Sequence, residues 1–196
     1  MAIITISRQL GSGGDHVASL VASMLGYRLI NKPSLLREAQ SRGMIDAETA
    51  SSIGEGKPSL LEHFDERRIR AFYAIRSIMK ELADKDNLVI VGRGGHVELK
   101  DYNSMIRVRI IADQKTRITN IVEEEKVSKS QAKKLIKEND KQQSEYIKHF
   151  FLVKHSDEKL YDLIINTSRI SYSVSAGIIL QASREVGAMR IVPQKE

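Results

Sequence analysis

The sequence predicts an α/β fold built on a doubly wound parallel sheet, an expectation that rests on three observations. Five short runs rich in Val and Ile, at roughly 3–6, 27–30, 88–91, 105–111 and 161–166, alternate with longer stretches whose apolar residues recur at helical spacing. The run Leu88-Val89-Ile90-Val91 is apolar throughout, the pattern of a parallel strand buried on both faces. The first run, Ile3-Ile4-Thr5-Ile6, breaks into a glycine-rich turn and then into a helical pattern.

After that turn, Val17, Leu20, Val21, Met24 and Leu25 mark the first helix, with Gly26 where a helix commonly ends. Tyr27 to Ile30 is the second strand. Pro33 suits the first turn of the next helix, which runs through Leu35, Leu36 and Ala39 to about Arg42. From 43 to 64, Gly43, Gly54, Gly56, Pro58 and several Ser interrupt any periodicity, so a loop with one short helix at most is expected. Ile69, Phe72, Ile75, Ile78, Met79 and Leu82 mark a long amphipathic helix over Asp65 to Asp84. The buried third strand follows, and Gly92-Arg93-Gly94-Gly95-His96 lies at its carboxyl end, where open α/β sheets bind ligands. Met105 to Ile111 is the fourth strand, and Asp113 the expected N-cap of a helix through Thr116, Ile118 and Ile121. A charged break at 123–126 precedes a lysine-rich helix from about Ser128 to Phe150 with few apolar positions. Tyr161 to Asn166 is the last strand, and Ser171 to Val186 the last helix.

At 196 residues, 41% hydrophobic and 29% charged, the chain has ordinary globular composition and the length of one domain, 1–196. It shows no leader pattern and no apolar run near the ~18 residues that span a bilayer, so a cytoplasmic protein without a membrane partner is expected. Absence of Cys excludes disulfides and thiolate metal sites, and the five His lack metal-ligand spacing, so no protein-held metal is expected. A net charge of +6 favours anionic partners. Nucleic acid is the less favoured one, because aromatics are 5% of the chain, Trp is absent and no RNA- or DNA-binding signature is present. Nothing in the pattern sets an oligomeric state.

The chemistry-bearing stretch nearest the N-terminus is Gly11, Ser12, Gly13, Gly14, Asp15 and His16. Glycines let backbone N–H groups approach an anion, and a helix beginning near Asp15 points its positive end the same way. The phosphate-loop pattern G-x-x-x-x-G-K-[ST] is met only in part: Gly14 stands for its Lys, His16 for its hydroxyl and Arg8 for its first Gly. Asp15 opposes an anion unless its side chain turns away. A strand-to-helix turn without a ligand is the competing reading.

Four segments in order carry a family resemblance: Ile-Thr-Ile-Ser-Arg-Gln followed by Gly-Ser-Gly-Gly within 3–14, Val-Ile-Val-Gly-Arg-Gly-Gly at 89–95, Asn-Asp-Lys at 139–141 and Tyr-Asp-Leu-Ile-Ile-Asn-Thr-Ser at 161–168. Over about residues 1–180 the chain resembles the cytidylate kinase-like proteins, which are similar to CMP kinases of the P-loop nucleoside monophosphate kinase fold. The resemblance implies a three-layer, five-stranded sheet with a helical lid at about 123–158 and an NMP-binding region at about 31–64. It implies ATP as phosphoryl donor with Mg²⁺, held on residues 11–16. It implies a nucleoside monophosphate acceptor, CMP or dCMP favoured, gripped by Arg37 and Arg93, with Asp140 and Lys141 in the lid. Planar Arg forks suit phosphate oxygens, and lid cations suit the charge that spreads over a transferred phosphoryl group. The kinase-like branch commonly lacks the loop lysine, as Gly14 does here, and Arg8 is the candidate substitute; Gln143 stands where the family has a lid arginine.

Three functions follow as alternatives. The chain is a phosphotransferase, or a nucleotide or phosphate sensor that lost catalysis with the lysine, or, less favoured, a nucleic-acid binder. Each residue also has a plainer role: Arg37 and Arg93 as solvated surface, the lysines of 129–148 as an exposed helix face, and Asp140 paired locally with Lys137 or Lys141.

Overall fold

The computed structural model describes residues 2–50, 66–85 and 87–188. Residues 51–64 of the expected 43–64 loop, and of the NMP-binding region expected at about 31–64, lie outside the described residues. The strands β1 (Ile3–Arg8), β2 (Arg28–Ile30), β3 (Leu88–Val91), β4 (Met105–Ile111) and β5 (Leu163–Asn166) form one sheet in the order β2-β3-β1-β4-β5. Every neighbouring pair is parallel, with Ile3 to Ile6 of β1 in register with Leu88 to Val91 on one side and Met105 to Val108 on the other.

Strand alternation divides the core in two. Ile3 points to one face, where it meets Leu88 and Ile90 under α2 (Lys32–Ser41) and α3 (Glu66–Lys85). Ile4 and Ile6 point to the other, where Val89, Val108 and Ile110 pack under α1 (Gly14–Leu25) and α7 (Tyr172–Ala188). This is the three-layer architecture that the alternating pattern requires. The Ile and Val residues of β1 and β3 are almost wholly removed from water, each burial favourable by about 1.5–3 kcal/mol.

Further helices are α4 (Gly95–Glu98), α5 (Gln114–Glu125) and α6 (Lys129–Phe151), with a short 3₁₀ turn at Glu158–Leu160, and residues 47–50 are also helical. Local chemistry sets their ends. Gly26 closes α1 in the left-handed conformation at φ 66, Asn31 and Ser34 form a reciprocal capping box at α2, and Asp113 accepts from Thr116 N. The break expected at 123–126 is narrower than the charge pattern suggests: α5 continues through Glu125 and stops at Lys126. Nor is α6 poor in burial. Ala132 and Ile136 join Ile121 in a small third core that clamps α6 onto α5, and Ile147 is buried nearer its other end. No helix among the described residues is long and apolar enough to cross a membrane.

Candidate functional site

The turn between β1 and α1 is held so that its carbonyls are occupied and its first-turn amides are not. Ser12 N and Oγ both donate to Gln9 O, Thr167 Oγ1 donates to Ser12 O at 2.7 Å, and Asn120 Nδ2 donates to Gly11 O at 2.8 Å. Gly13 is the N-cap at φ 70, and no side chain caps α1, so the N–H groups of the first turn have no side-chain partner at the positive helix end. Any Cβ on Gly13 would overlap the Tyr172 ring, which also lies 5.3 Å from the His16 ring. Aligned on Gly13, the hydroxyl position of the phosphate-loop pattern falls on Asp15 rather than on His16.

Arg8 explains both anomalies of this loop. Its Nε and Nη2 donate to the Asp15 carboxylate at 3.0 and 3.1 Å, which offsets the negative charge at the start of α1. Its aliphatic stem lies directly over Gly14, where a Cβ would overlap Arg8 Cβ. Arg8 in this position and a lysine at 14 therefore exclude each other.

Next to the turn, a cleft of about 280 Å³ opens at the carboxyl ends of β1 and β3, between α3 and α6. Arg8, Lys32 and Arg93 line it, and no carboxylate does, among the described residues. Arg93 is a non-glycine residue in the left-handed region, at φ 53 between Gly92 and Gly94 at φ 70. Such a conformation is costly for a side-chain-bearing residue and is concentrated at functional sites. It delivers the guanidinium over the Tyr146 ring, 4.5 Å from the centroid. Phe72 and Phe150 stack at 4.0 Å beside it, and Phe151 fills the space that a Cβ on Gly94 would need. Burial pushes the Tyr146 phenol up from its ordinary value.

The other expected residues fall elsewhere. Arg37 is exposed on α2 and does not line the cleft; Lys32, at the start of the same helix, does. Asp140 makes no local pair with Lys137 or Lys141. It receives both terminal nitrogens of the buried Arg117, at 2.9 and 2.7 Å, while Arg117 Nε donates to Leu10 O at 2.7 Å. The carboxylate thus ties α6 to the root of the phosphate-sized loop. Lys141 is exposed and lies 3.8 Å from Glu145. Gln143 lines the cleft and donates to Asn139 at 2.7 Å.

A family model described as the cytidylate kinase-like family matches residues 3–169, which takes in the turn, the cleft and α6. The chain belongs to this family. Among similar proteins are the cytidylate kinase of Archaeoglobus fulgidus, 28% identical over 184 residues that cover 91% of this chain and 93% of that protein, and the cytidylate kinase of Methanopyrus kandleri, 26% identical over 190 residues and 92% of each chain. A solved structure of an uncharacterized protein from Eubacterium ventriosum superposes with a TM-score of 0.75 at 25% identity, covering 94% of this chain and 99% of that one. Shikimate kinase from Acinetobacter baumannii, at 16% identity and a TM-score of 0.55 over 94% of each chain, shares the fold.

At the floor of the cleft of this cytidylate kinase-like protein lies a buried polar cluster that no local pattern signals. Ser7 Oγ is 3.0 Å from His155 Nε2, although 148 positions separate them. The His155 carbonyl accepts from Arg109 Nη1 and, at 3.0 Å, from Tyr161 OH. Tyr161 also stacks on His96 at 5.0 Å. Burial, with Arg109 and the other imidazole adding like charge, lowers His96 to about 3; burial and Arg109 lower His155 to about 4. Both rings are neutral at pH 7.

Proposed function

We propose that the chain is a cytoplasmic nucleoside monophosphate kinase that moves the γ-phosphoryl group of ATP to CMP or dCMP. The observation that carries this reading is Arg93, a cation held in a left-handed conformation over Tyr146, in a cleft that no carboxylate lines among the described residues and that adjoins an uncapped helix start. A monophosphate brings about two negative charges, which Arg93 and Lys32 complement, and a flat base beside them finds Phe72, Tyr146 and Phe150. Similarity to proteins named cytidylate kinase supports cytosine as the acceptor's base here.

The turn at residues 11–16 fits the donor's terminal phosphates, since no side chain caps its amides at the positive end of α1. Among the described residues no cluster of three acidic or His side chains is built to hold a metal. Mg²⁺ would therefore come to this site as a companion of the triphosphate, where it would neutralise phosphate charge. Arg8 bridges the two halves, bonded to Asp15 on one side and lining the cleft on the other. Asp140 is a positioning residue for α6, acting through Arg117.

A second reading, a nucleotide sensor without turnover, is favoured by one observation: Arg8, the candidate for the missing lysine, already carries a bidentate bond to Asp15. ADP release in a coupled assay with ATP and Mg²⁺ over CMP, dCMP, UMP, AMP and GMP separates the two. The kinase shows acceptor-dependent release, greatest with CMP or dCMP; the sensor binds and releases none.

A further inference from the structure

The Ser7–His155 pair has no task in phosphorylating a monophosphate. A phosphate oxygen is ionised at pH 7 and needs no base to remove a proton before it attacks, whereas a hydroxyl does. Ser7 lines the cleft immediately before Arg8, whose guanidinium reaches Asp15 at the start of α1. Three features make it a nucleophile with its base in place. The Oγ to Nε2 distance of 3.0 Å is within proton-transfer reach. The His155 backbone is clamped by Arg109 and Tyr161, which fixes the position of the ring's chain. His155 lines the same cleft as Ser7, so hydroxyl and ring open onto one space. Arg8 and Arg93 line the same cleft and complement the charge a phosphoryl group would bring to Ser7.

We propose that Ser7 is a phosphoryl-acceptor site: with a nucleoside triphosphate bound and no monophosphate in the cleft, the chain phosphorylates its own Ser7 hydroxyl. Ser7 Oγ forms a bond to the γ-phosphorus as the bond from that phosphorus to the β,γ-bridging oxygen breaks. The hydroxyl proton passes to His155 Nε2, and the electron pair of the broken bond leaves with the nucleoside diphosphate. This inference rests on the turn at 11–16 binding a triphosphate, as proposed above.

The test has two readouts on the full chain. After incubation with ATP and Mg²⁺ without acceptor, intact mass spectrometry is expected to show one added phosphoryl group, mapped by peptide sequencing to Ser7 and suppressed by CMP. Ser7→Ala abolishes it, and His155→Gln, which keeps a polar side chain but no base, slows it about a hundredfold or more. In the ligand-free protein, nitrogen NMR is expected to find His155 with its proton on Nδ1, leaving Nε2 to accept from Ser7; Ser7→Ala then shifts that resonance. Groups that face His155 are Ser7, Arg109, His96 and Asp140. A proton found on Nε2, or a bound triphosphate with no phosphate on Ser7, overturns this inference and leaves the kinase reading intact. Failure of any nucleotide to raise the thermal transition of the chain overturns both.

Discussion

The turn after β1 and the turn after β3 share one backbone plan: each enters its helix through a glycine N-cap, Gly13 at φ 70 and ψ 13, Gly94 at φ 70 and ψ 16, with no side-chain cap. Each also has an arginine within reach, and there the two part. Arg8 precedes its turn in ordinary strand geometry and is neutralised by Asp15 at the start of α1. Arg93 sits inside its turn in strained geometry and faces the π-cloud of Tyr146 instead of a carboxylate. A ring attracts a cation by about 0.5–2 kcal/mol without cancelling its charge. Arg93 is thereby positioned and still able to attract an anion, whereas Arg8 must first leave a partner. Two similar turns therefore support different tasks, one offering backbone donors and the other a charged fork.

The sharpest way to break this comparison is Arg93→Ala, which should weaken CMP binding by tenfold to over a hundredfold, a loss of about 1.5–3 kcal/mol, by titration calorimetry. Arg107→Ala is the control, since Arg107 is bonded to Asp162 at 3.0 Å on β4 and does not line the cleft. Equal losses from both would mean that diffuse positive charge, not the strained turn, recruits the anion.

Next in size is the link between α6 and the β1 turn. Asp140→Ala leaves the buried Arg117 without its carboxylate and should cost about 2 kcal/mol in urea unfolding, whereas Lys141→Ala, on an exposed pair, should stay within about 0.5 kcal/mol. Equal costs would show that α6 is not anchored through Arg117.

The histidines under the cleft make stability depend on pH. Their folded values, about 3 for His96 and about 4 for His155, lie below the ordinary 6.5, so between these limits the unfolded chain binds more protons. Their contribution is whole above pH 6.5 and is lost as pH falls toward 4 and then 3. His96→Phe should flatten the part of the acid slope that His96 contributes, followed by thermal melts from pH 7 to 4.

The smallest effect is expected at the first turn. Asp15→Asn removes a negative charge at the start of α1 and releases Arg8, which should tighten ATP binding by about twofold to fivefold, or roughly 0.3–1 kcal/mol. Unchanged affinity across a salt series would show that Arg8 takes no part in donor binding.

Much of this molecule is legible along the chain because its strands, helices and turns answer to near neighbours. The apolar run Leu88–Val91, the left-handed close at Gly26, the cap at Asp113 and Pro33 in a first turn each follow from residues within a few positions. The glycines of 11–14 and 92–95 likewise announce turns at strand ends. The lysine-rich stretch was less transparent. Its charges conceal Ala132, Ile136 and Ile147, whose burial depends on where α5 and α3 lie.

By itself, then, the sequence determined the order of strands and helices, the two glycine turns and the positive balance that favours an anion, because periodicity, capping and charge are local or additive. Only the tertiary structure decided which side chains meet. Arg8 with Asp15 lies within one turn, but Arg117 with Asp140 joins positions 23 apart, and Ser7 with His155 joins positions 148 apart. The same decision removed Arg37 from the cleft and brought in Lys32, His96 and Tyr146. The reason is geometric: a helix or strand fixes the direction in which a side chain leaves its own backbone, while the partner waiting there depends on how separate elements pack.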